Sequence, residues 1–363
     1  HQLAQQDLKP GGWRLESPVS LRLVERLERT GTTVRAVVGS RVYRGITTGL
    51  NEAFVVDRAT RDRLVAEHPS SEDVLKPFLR GRDVKRWRCE LQDLWLVFTR
   101  RGIKISDYPA VLEYLGAFEA RLTPGAPGGR KPGNYQWYEI QDPVDYWSEF
   151  EQSKIISTKV SVRPTFAMDT GGSYLSNTSY FLTPGATGLY LLAVLNSRLS
   201  EGYARRRFVE KQGGWYEVQP DGLEAFPIPA AAPGQQYWCE RLAQILIWLH
   251  GSGGSDRSGG TPLALMKAYF EQWLDGLVYE LFFAEELHAR KLRLFDETAR
   301  IAPADLSCLS DYEKRANLRE VFEAAYDSEA TLRAMLFDLR SVEVVRIVEE
   351  PLVHDTDIED AGT

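Results

Sequence analysis

Val42–Asp57 reads VYRGITTGLNEAFVVD. Apolar and β-branched residues stand at both ends, and glycine brackets a polar centre, so the run predicts a strand, a tight turn and a second strand. Gly45 and Gly49 allow backbone approaches and angles that a Cβ blocks. Between and after them sit Thr47, Thr48 and Asn51, two hydroxyls and an amide that can hold a partner but perform no chemistry unaided. Read alone, the run is a surface hairpin.

Working outward, Ser17-Pro18 opens a short helix through Thr30 with Leu21, Val24 and Leu27 on one face, and Gly31 stops it. Arg58–Glu67 is helical. Ser70 and Asp73 have capping-box spacing before a second helix reaching Phe78. Leu94–Phe98 is a strand, and Tyr108–Leu122 carries a helical stripe of Val111, Leu112, Leu115, Phe118 and Leu122. A Gly/Pro-rich loop then runs from Leu122 to Trp137, too long for a simple connection. Strands follow at Lys154–Val160, Thr165–Met168 and Tyr174–Leu182, with Asp169-Thr170-Gly171-Gly172 as a hairpin signal between the last two. Leu189–Arg206 is a helix, a Gly213-Gly214 pair precedes Trp215, and prolines from Pro227 to Pro233 mark a boundary. Beyond it the chain is helical at Tyr237–Leu249, Leu263–Leu287, Asp311–Tyr326 and Ser328–Leu339. GSGGSDRSGG at 251–260 interrupts these helices as a linker.

The expected architecture is therefore α+β: residues 1–34 as lead-in and short helix, a mixed sheet-and-helix domain over 35–232, and an all-helical region over 233–363. A chain of 363 residues, 43 % hydrophobic and 11 % aromatic, is long enough and apolar enough for two globular domains. It opens at His1 and is expected to be a fragment of a longer protein. There is no signal peptide and no apolar run of membrane-spanning length, so the expected location is the cytoplasm. Three distant cysteines, Cys89, Cys239 and Cys308, suit a reducing compartment and give neither a disulfide framework nor a zinc site.

The net charge of −7 is unevenly distributed. Residues 262–363 hold 11 Lys+Arg against 22 Asp+Glu, whereas residues 1–261 hold 33 against 29. The acidity belongs to the C-terminal third, and the N-terminal part is mildly basic. Catalytic motifs are absent: no glycine-rich cofactor loop after a strand, no N-P-P-Y or D-P-P-Y tetrapeptide, no Walker loop and no G-x-S-x-G elbow. Asp311-Tyr312-Glu313-Lys314 has letters of a metal nuclease but reads as a solvated helix face. What remains is cationic. Lys76–Arg88, KPFLRGRDVKRWR, carries six cations and one carboxylate, Asp83, whose expected partner is an arginine.

These segments resemble, in order, the signatures of the TaqI-like specificity domain of type IIG restriction-modification enzymes. Arg44–Phe54 resembles its R-G-I-x-T-G-x-N-x-A-F opening, and Lys76–Arg86 its K-P-F-L-R-G-R-D-x-K-R. YQWYEIQDP (Tyr135–Pro143), KIISTKVSVR (Lys154–Arg163) leading to Phe166 and Asp169, NTSYF (Asn177–Phe181), LLAVLNSRL (Leu191–Leu199), and Gly213-Gly214 with FPIP (Phe226–Pro229) complete the series. The resemblance runs from Arg41 to Pro229. It departs from the family at Trp87 and Trp137 and in the loop at 123–133.

The resemblance implies a module that grips duplex DNA and reads its target for an adenine-specific methyltransferase and a nuclease elsewhere in the same polypeptide. S-adenosylmethionine and Mg are then expected only for those missing catalytic domains, with no cofactor and no membrane partner for this chain. Positioning phosphate contacts are expected from Arg44, Thr47, Thr48, Asn51, Arg80, Arg82, Lys85 and Arg86, and Lys76 and Asn177 are expected DNA contacts with no assigned role. Base reading is expected from Arg121, Arg130, Lys131 and Tyr135 around the long loop, and from Lys159, Arg163, Arg205, Arg206, Arg207 and Lys211 after a strand and a helix. Two other readings remain: a metal-dependent nuclease with an unrecognised site, and an interaction module docking through Leu274, Leu277, Val278 and Leu281 of the acidic third.

Overall fold

The structure is a computed structural model describing residues 18–211, 214–252, 257–258 and 261–350. The lead-in through Ser17, Gly213, much of the 251–260 linker and the tail from 351 lie outside the described residues. The chain divides into two compact units. Val38–Ser161 and Thr165–Gly188 make an α+β unit. The described residues through Val37, Val162–Pro164 and those from Leu189 onward make a predominantly helical one. The division at Gly188 falls well before the Pro-rich stretch at 227–233. Helix Leu263–Ala289 buries Leu274, Leu277 and Val278 in its own unit, so three of the four residues expected to dock on a partner are core, and Leu281 is half-buried.

The α+β unit holds two four-stranded sheets. The first runs Phe166–Asp169, Lys154–Thr158, Ser179–Leu182, Tyr43–Arg44, all antiparallel, with Ser157 facing both Phe166 and Tyr180. The second runs Tyr174–Leu175, Leu75–Leu79, Leu94–Val97, Val55–Asp57, parallel at its first pair and antiparallel thereafter. Aromatic rings pack between them: Tyr43 stacks on Tyr146 and Phe181, and Phe150 lies 4.5 Å from Phe181 and 4.9 Å from Tyr174. Such pairs add about 0.5–1.5 kcal/mol each beyond their buried area. Beside them Lys154, wholly buried, meets Asp169 at 2.7 Å. Burial lowers the Lys154 pKa and Asp169 opposes that shift. Asp169 also accepts the N–H groups of Gly171 and Ser173.

The hairpin expectations fail for one reason: strand partners are distant in sequence. The opening run is no hairpin. Tyr43–Arg44 joins the first sheet and Val55–Asp57 the second, with a one-turn helix, Asn51–Phe54, between them. The signal at Asp169–Gly172 does not make a hairpin either. Phe166–Asp169 pairs with Lys154–Thr158, and the expected strand at 174–182 is split, its halves joining different sheets. The helix expected through Phe78 ends at Val74 because Leu75–Leu79, with Pro77 in its middle, extends against Leu94–Val97. Ser70 makes no cap bond there; its hydroxyl donates to Asp107 O. The expected helix at 108–122 breaks between Gly116 and Glu119. That at 189–206 breaks at Asn196-Ser197, where Ser197 caps a new helix, Arg198–Arg207.

Candidate nucleic-acid interface

Three of the signature segments meet at the turn that carries the chain from one sheet to the other. Ser176–Thr178 links Tyr174–Leu175 to Ser179–Leu182. On one side lies the loop after Arg44: Gly45 N–H donates to Ser179 O, Ile46 N–H to Leu175 O, and Asn177 N–H to Ile46 O. A Cβ on Gly45 would stand 1.9 Å from Ser176 O. On the other side lies the loop after Arg80: Gly81 N–H donates to Thr178 Oγ1 at 3.0 Å, and a Cβ on Gly81 would stand 2.6 Å from that oxygen. Neither glycine is there for a left-handed angle. Each lets an Arg-Gly step close on the same turn.

The side chains set by these contacts include several of the expected DNA contacts. Arg44 is half exposed, donating to Thr47 Oγ1 at 2.6 Å and lying 3.4 Å from Asp142 Oδ2. Asn177 is exposed and donates to the same Thr47 oxygen at 3.3 Å. The side chains of Arg82 and Lys85 are exposed and, among the described residues, make no hydrogen bond or ion pair. Lys159 follows at the edge, its N–H donating to Thr178 O. Arg86 lies over the ring of Trp87. Trp87 is fully buried with φ of 72°, rare for a bulky residue, and its N–H donates to Phe166 O, so it pins the basic turn between Val84–Lys85 and Arg88–Cys89. Sequence reasoning missed Arg41, exposed and stacked on Tyr43 and Tyr146, and Asp142, whose signal is the YQWYEIQDP segment.

Other expected contacts are committed within the protein. Thr48 is 2 % exposed, and its hydroxyl donates to Asn51 Oδ1, closing the turn into Asn51–Phe54. Lys76 pairs with Glu151 at 3.1 Å. Arg80 forks onto buried Asp83 at 2.8 and 2.9 Å, the arginine partner expected for that aspartate. Burial pushes the Asp83 pKa up, but the bonds from the Arg80 side chain and backbone outweigh it and hold it below the ordinary value. Arg121 pairs with Glu52.

Arg130 is the largest correction. It is 3 % exposed and donates to five main-chain carbonyls, those of Leu122, Thr48, Glu139, Gln136 and Trp137. Its guanidinium lies 4.6 Å from the centre of the Tyr135 ring, and burial lowers its pKa. The five carbonyls lie outside any strand ladder, at a helix end and in irregular chain, and one arginine supplies a donor to each. The same arginine sits where a Cβ on Gly49 (φ +85°) would fall, 2.5 Å from its Cδ. Tyr135 is also buried, donating to Lys131 O; the Lys131 side chain is exposed.

Arg163, Arg205, Arg206 and Lys211 belong to the helical unit. Arg206 is 2 % exposed and donates to Gly202 O and Ile347 O, so it too is internal. Arg205 pairs with Glu201 and Lys211 with Glu217; Arg163 is exposed. Trp137, Tyr138 and Trp147 are half-buried packing groups, whereas Trp215 is 45 % exposed. Among the described residues no group of three or more His, Cys, Asp or Glu is arranged to hold a metal ion, and no helix is long and apolar enough to cross a membrane.

Residues 76–228 match the TaqI-like C-terminal specificity domain. The matched segment contains the Arg80 loop and the Ser176–Thr178 turn, while the Arg44 loop lies ahead of it. No curated protein matches the chain. Among solved structures, the chain is similar to the Type IIL restriction-modification enzyme MmeI in complex with DNA, at 16 % identity and a TM-score of 0.48. The alignment covers 81 % of this chain and 35 % of that one, so the chain spans about a third of the MmeI length.

Proposed function

We propose that the chain is a sequence-specific recognition module for double-stranded DNA, serving the catalytic parts of a type IIG restriction-modification enzyme. The observation that carries this reading is the convergence of the Arg44 and Arg80 loops on the Ser176–Thr178 turn, two of these three elements lying within the specificity-domain match. The convergence brings together the segments that carry Arg44, Asn177, Arg82 and Lys85 on a two-sheet support, with Lys159 bonded through its N–H to the same turn. Cations and amides on a fixed frame suit backbone contacts that set register, and base reading then falls to exposed side chains nearby, Lys131 among them.

In this reading adenine methylation and cleavage belong to methyltransferase and nuclease domains outside these 363 residues, in a cytoplasmic protein. S-adenosylmethionine and Mg are bound there, and no residue of this chain is assigned to either. Fluorescence anisotropy with labelled duplex tests the reading. Binding is expected at low salt, with log affinity falling against log salt by about 0.9 per phosphate contacted. Replacing Arg82 or Lys85 by alanine is expected to lower that slope by about one contact each. Absence of duplex binding at low salt refutes it.

A further inference from the structure

Thr47 has a hydrogen-bond arrangement that the shape of its loop does not require. Its Oγ1 accepts from Arg44 Nη2 at 2.6 Å and from Asn177 Nδ2 at 3.3 Å. Two donors fill the lone pairs of a hydroxyl, so its own proton is left for an acceptor outside the group. Among the described residues no acceptor takes it. Arg44 is 51 % exposed and Asn177 is exposed, leaving guanidinium and amide hydrogens free beside that hydroxyl. An oxygen bound against the Thr47 hydroxyl would meet donors from three side chains, one of them cationic. That donor set complements a non-bridging oxygen of a phosphodiester.

Thr47 is gripped from behind. Its N–H donates to Asp142 Oδ2 at 2.9 Å, and the Asp142 N–H donates back to Thr47 O at 3.2 Å. The same carboxylate oxygen lies 3.4 Å from Arg44 Nη2. Asp142 thus fixes both the threonine and the arginine, and it brings a negative charge close to the donors. An aspartate that existed only to repel would not be bonded through both its carboxylate and its N–H to the residue that presents the hydroxyl.

We propose that Arg44, Thr47 and Asn177 form a cradle for one backbone phosphate of duplex DNA, and that Asp142 is its positioning residue. The proposal rests on the DNA-recognition reading. Its test uses the full chain, a labelled duplex of mixed sequence, anisotropy titrations over a range of salt, and thermal unfolding of every variant.

Thr47→Val is expected to weaken binding roughly tenfold, the scale of one hydrogen bond to a charged group, with the salt slope unchanged because no charge is lost. Thr47→Ser keeps the hydroxyl and is expected to bind like wild type. Arg44→Gln is expected to weaken binding and lower the slope by about 0.9. Asp142→Ala, which frees Thr47, is expected to weaken binding. Asp142→Asn keeps an acceptor for the Thr47 N–H and removes the opposing charge, so it binds as tightly as wild type or tighter. A role in folding alone would lower the unfolding temperature of both Asp142 variants and would not separate them in affinity. If wild type binds duplex and Thr47→Val and Asp142→Ala both bind within about twofold of it, less than one such bond supplies, the cradle is wrong and the recognition reading stands. If wild type binds no duplex, both are wrong.

Discussion

Arg130→Met separates a reader of bases from a staple of the fold. The native guanidinium reaches Glu139 O at 2.5 Å, Trp137 O at 2.7 Å and Leu122 O at 2.8 Å, with weaker bonds of 3.3 and 3.4 Å to Gln136 O and Thr48 O. Methionine replaces much of the stem and donates nothing. Counting only the three short bonds, at about 1.5 kcal/mol each for a charged donor, the loss is about 4–5 kcal/mol. That per-bond figure is already net of desolvation, so about 4–5 kcal/mol is the expected loss. That is a large share of the roughly 5–15 kcal/mol typical of a whole domain. Urea unfolding reads the total, and amide hydrogen exchange across residues 122–142 reads the local part, which is expected to lose protection first. Arg130→Lys, with three donors on a compact head, is expected to fall between the two. Unchanged stability together with lost duplex affinity would refute the staple and restore the reader.

Gly45→Ala places a methyl 1.9 Å from Ser176 O, so the turn must move; a loss of about 1–3 kcal/mol and weaker duplex binding are expected, whereas Gly116→Ala, with nothing within 4 Å, does neither. Equal behaviour of the two in thermal unfolding and anisotropy would remove the close-approach argument. The pKa of Asp83 is lower in the folded than in the unfolded protein, so its stabilisation is complete above the unfolded value of about 3.9 and is lost as pH falls through the lower folded value. Asp83→Asn is therefore expected to be less stable at neutral pH and to have a flatter stability curve below about pH 4; parallel acid limbs for the two proteins would contradict this. The Cys89 thiol is pushed by burial up to about 12 and Cys239 is wholly buried and also raised, while Cys308 is exposed. A thiol-disulfide reagent at about pH 8 is expected to modify one cysteine quickly in the native protein and all the others only after denaturation; a second fast thiol would count against the fold around Cys89.

The elements legible in the sequence are those whose stabilising contacts are local. Arg58–Glu67 and Asp311–Tyr326 have the same bounds in sequence and structure, and each has a side chain at its start, Asp57 or Ser310, that accepts a main-chain N–H of the first turn. The strands are legible but their pairing is not, because glycine-rich turns at 45–49 and 169–172 look alike whether the chain doubles back or crosses to another sheet. The site is legible as a set of segments and not as geometry. Arg82 and Lys85 stand exposed as a basic run suggests, while Arg130 and Arg206, cations of the same type, are buried among carbonyls whose need for donors no local pattern reveals. Asp142 escapes a sequence reading because a lone carboxylate ordinarily argues against an anion-binding surface.

The shared turn also dictates how this protein can be recombined with its relatives. Residues 44–49, 80–85 and 176–178 interlock through glycines that tolerate no added atom, so an exchange of any one alone brings a mismatched wall against the other two. They form a single cassette despite being scattered over more than a hundred positions. The long loop is the opposite case. From Leu122 to Glu139 it closes largely on its own arginine; its hydrogen-bond links beyond that span run from the Arg130 guanidinium to Thr48 O, from the Thr99 hydroxyl to Tyr138 O, from Gly102 N–H to the Glu139 carboxylate, and from the N–H groups of Leu122 and Thr123 to Phe118 O and Glu119 O. Chimeras cut at those ends, with Arg130 kept, can change the loop's exposed residues without disturbing the frame that carries them.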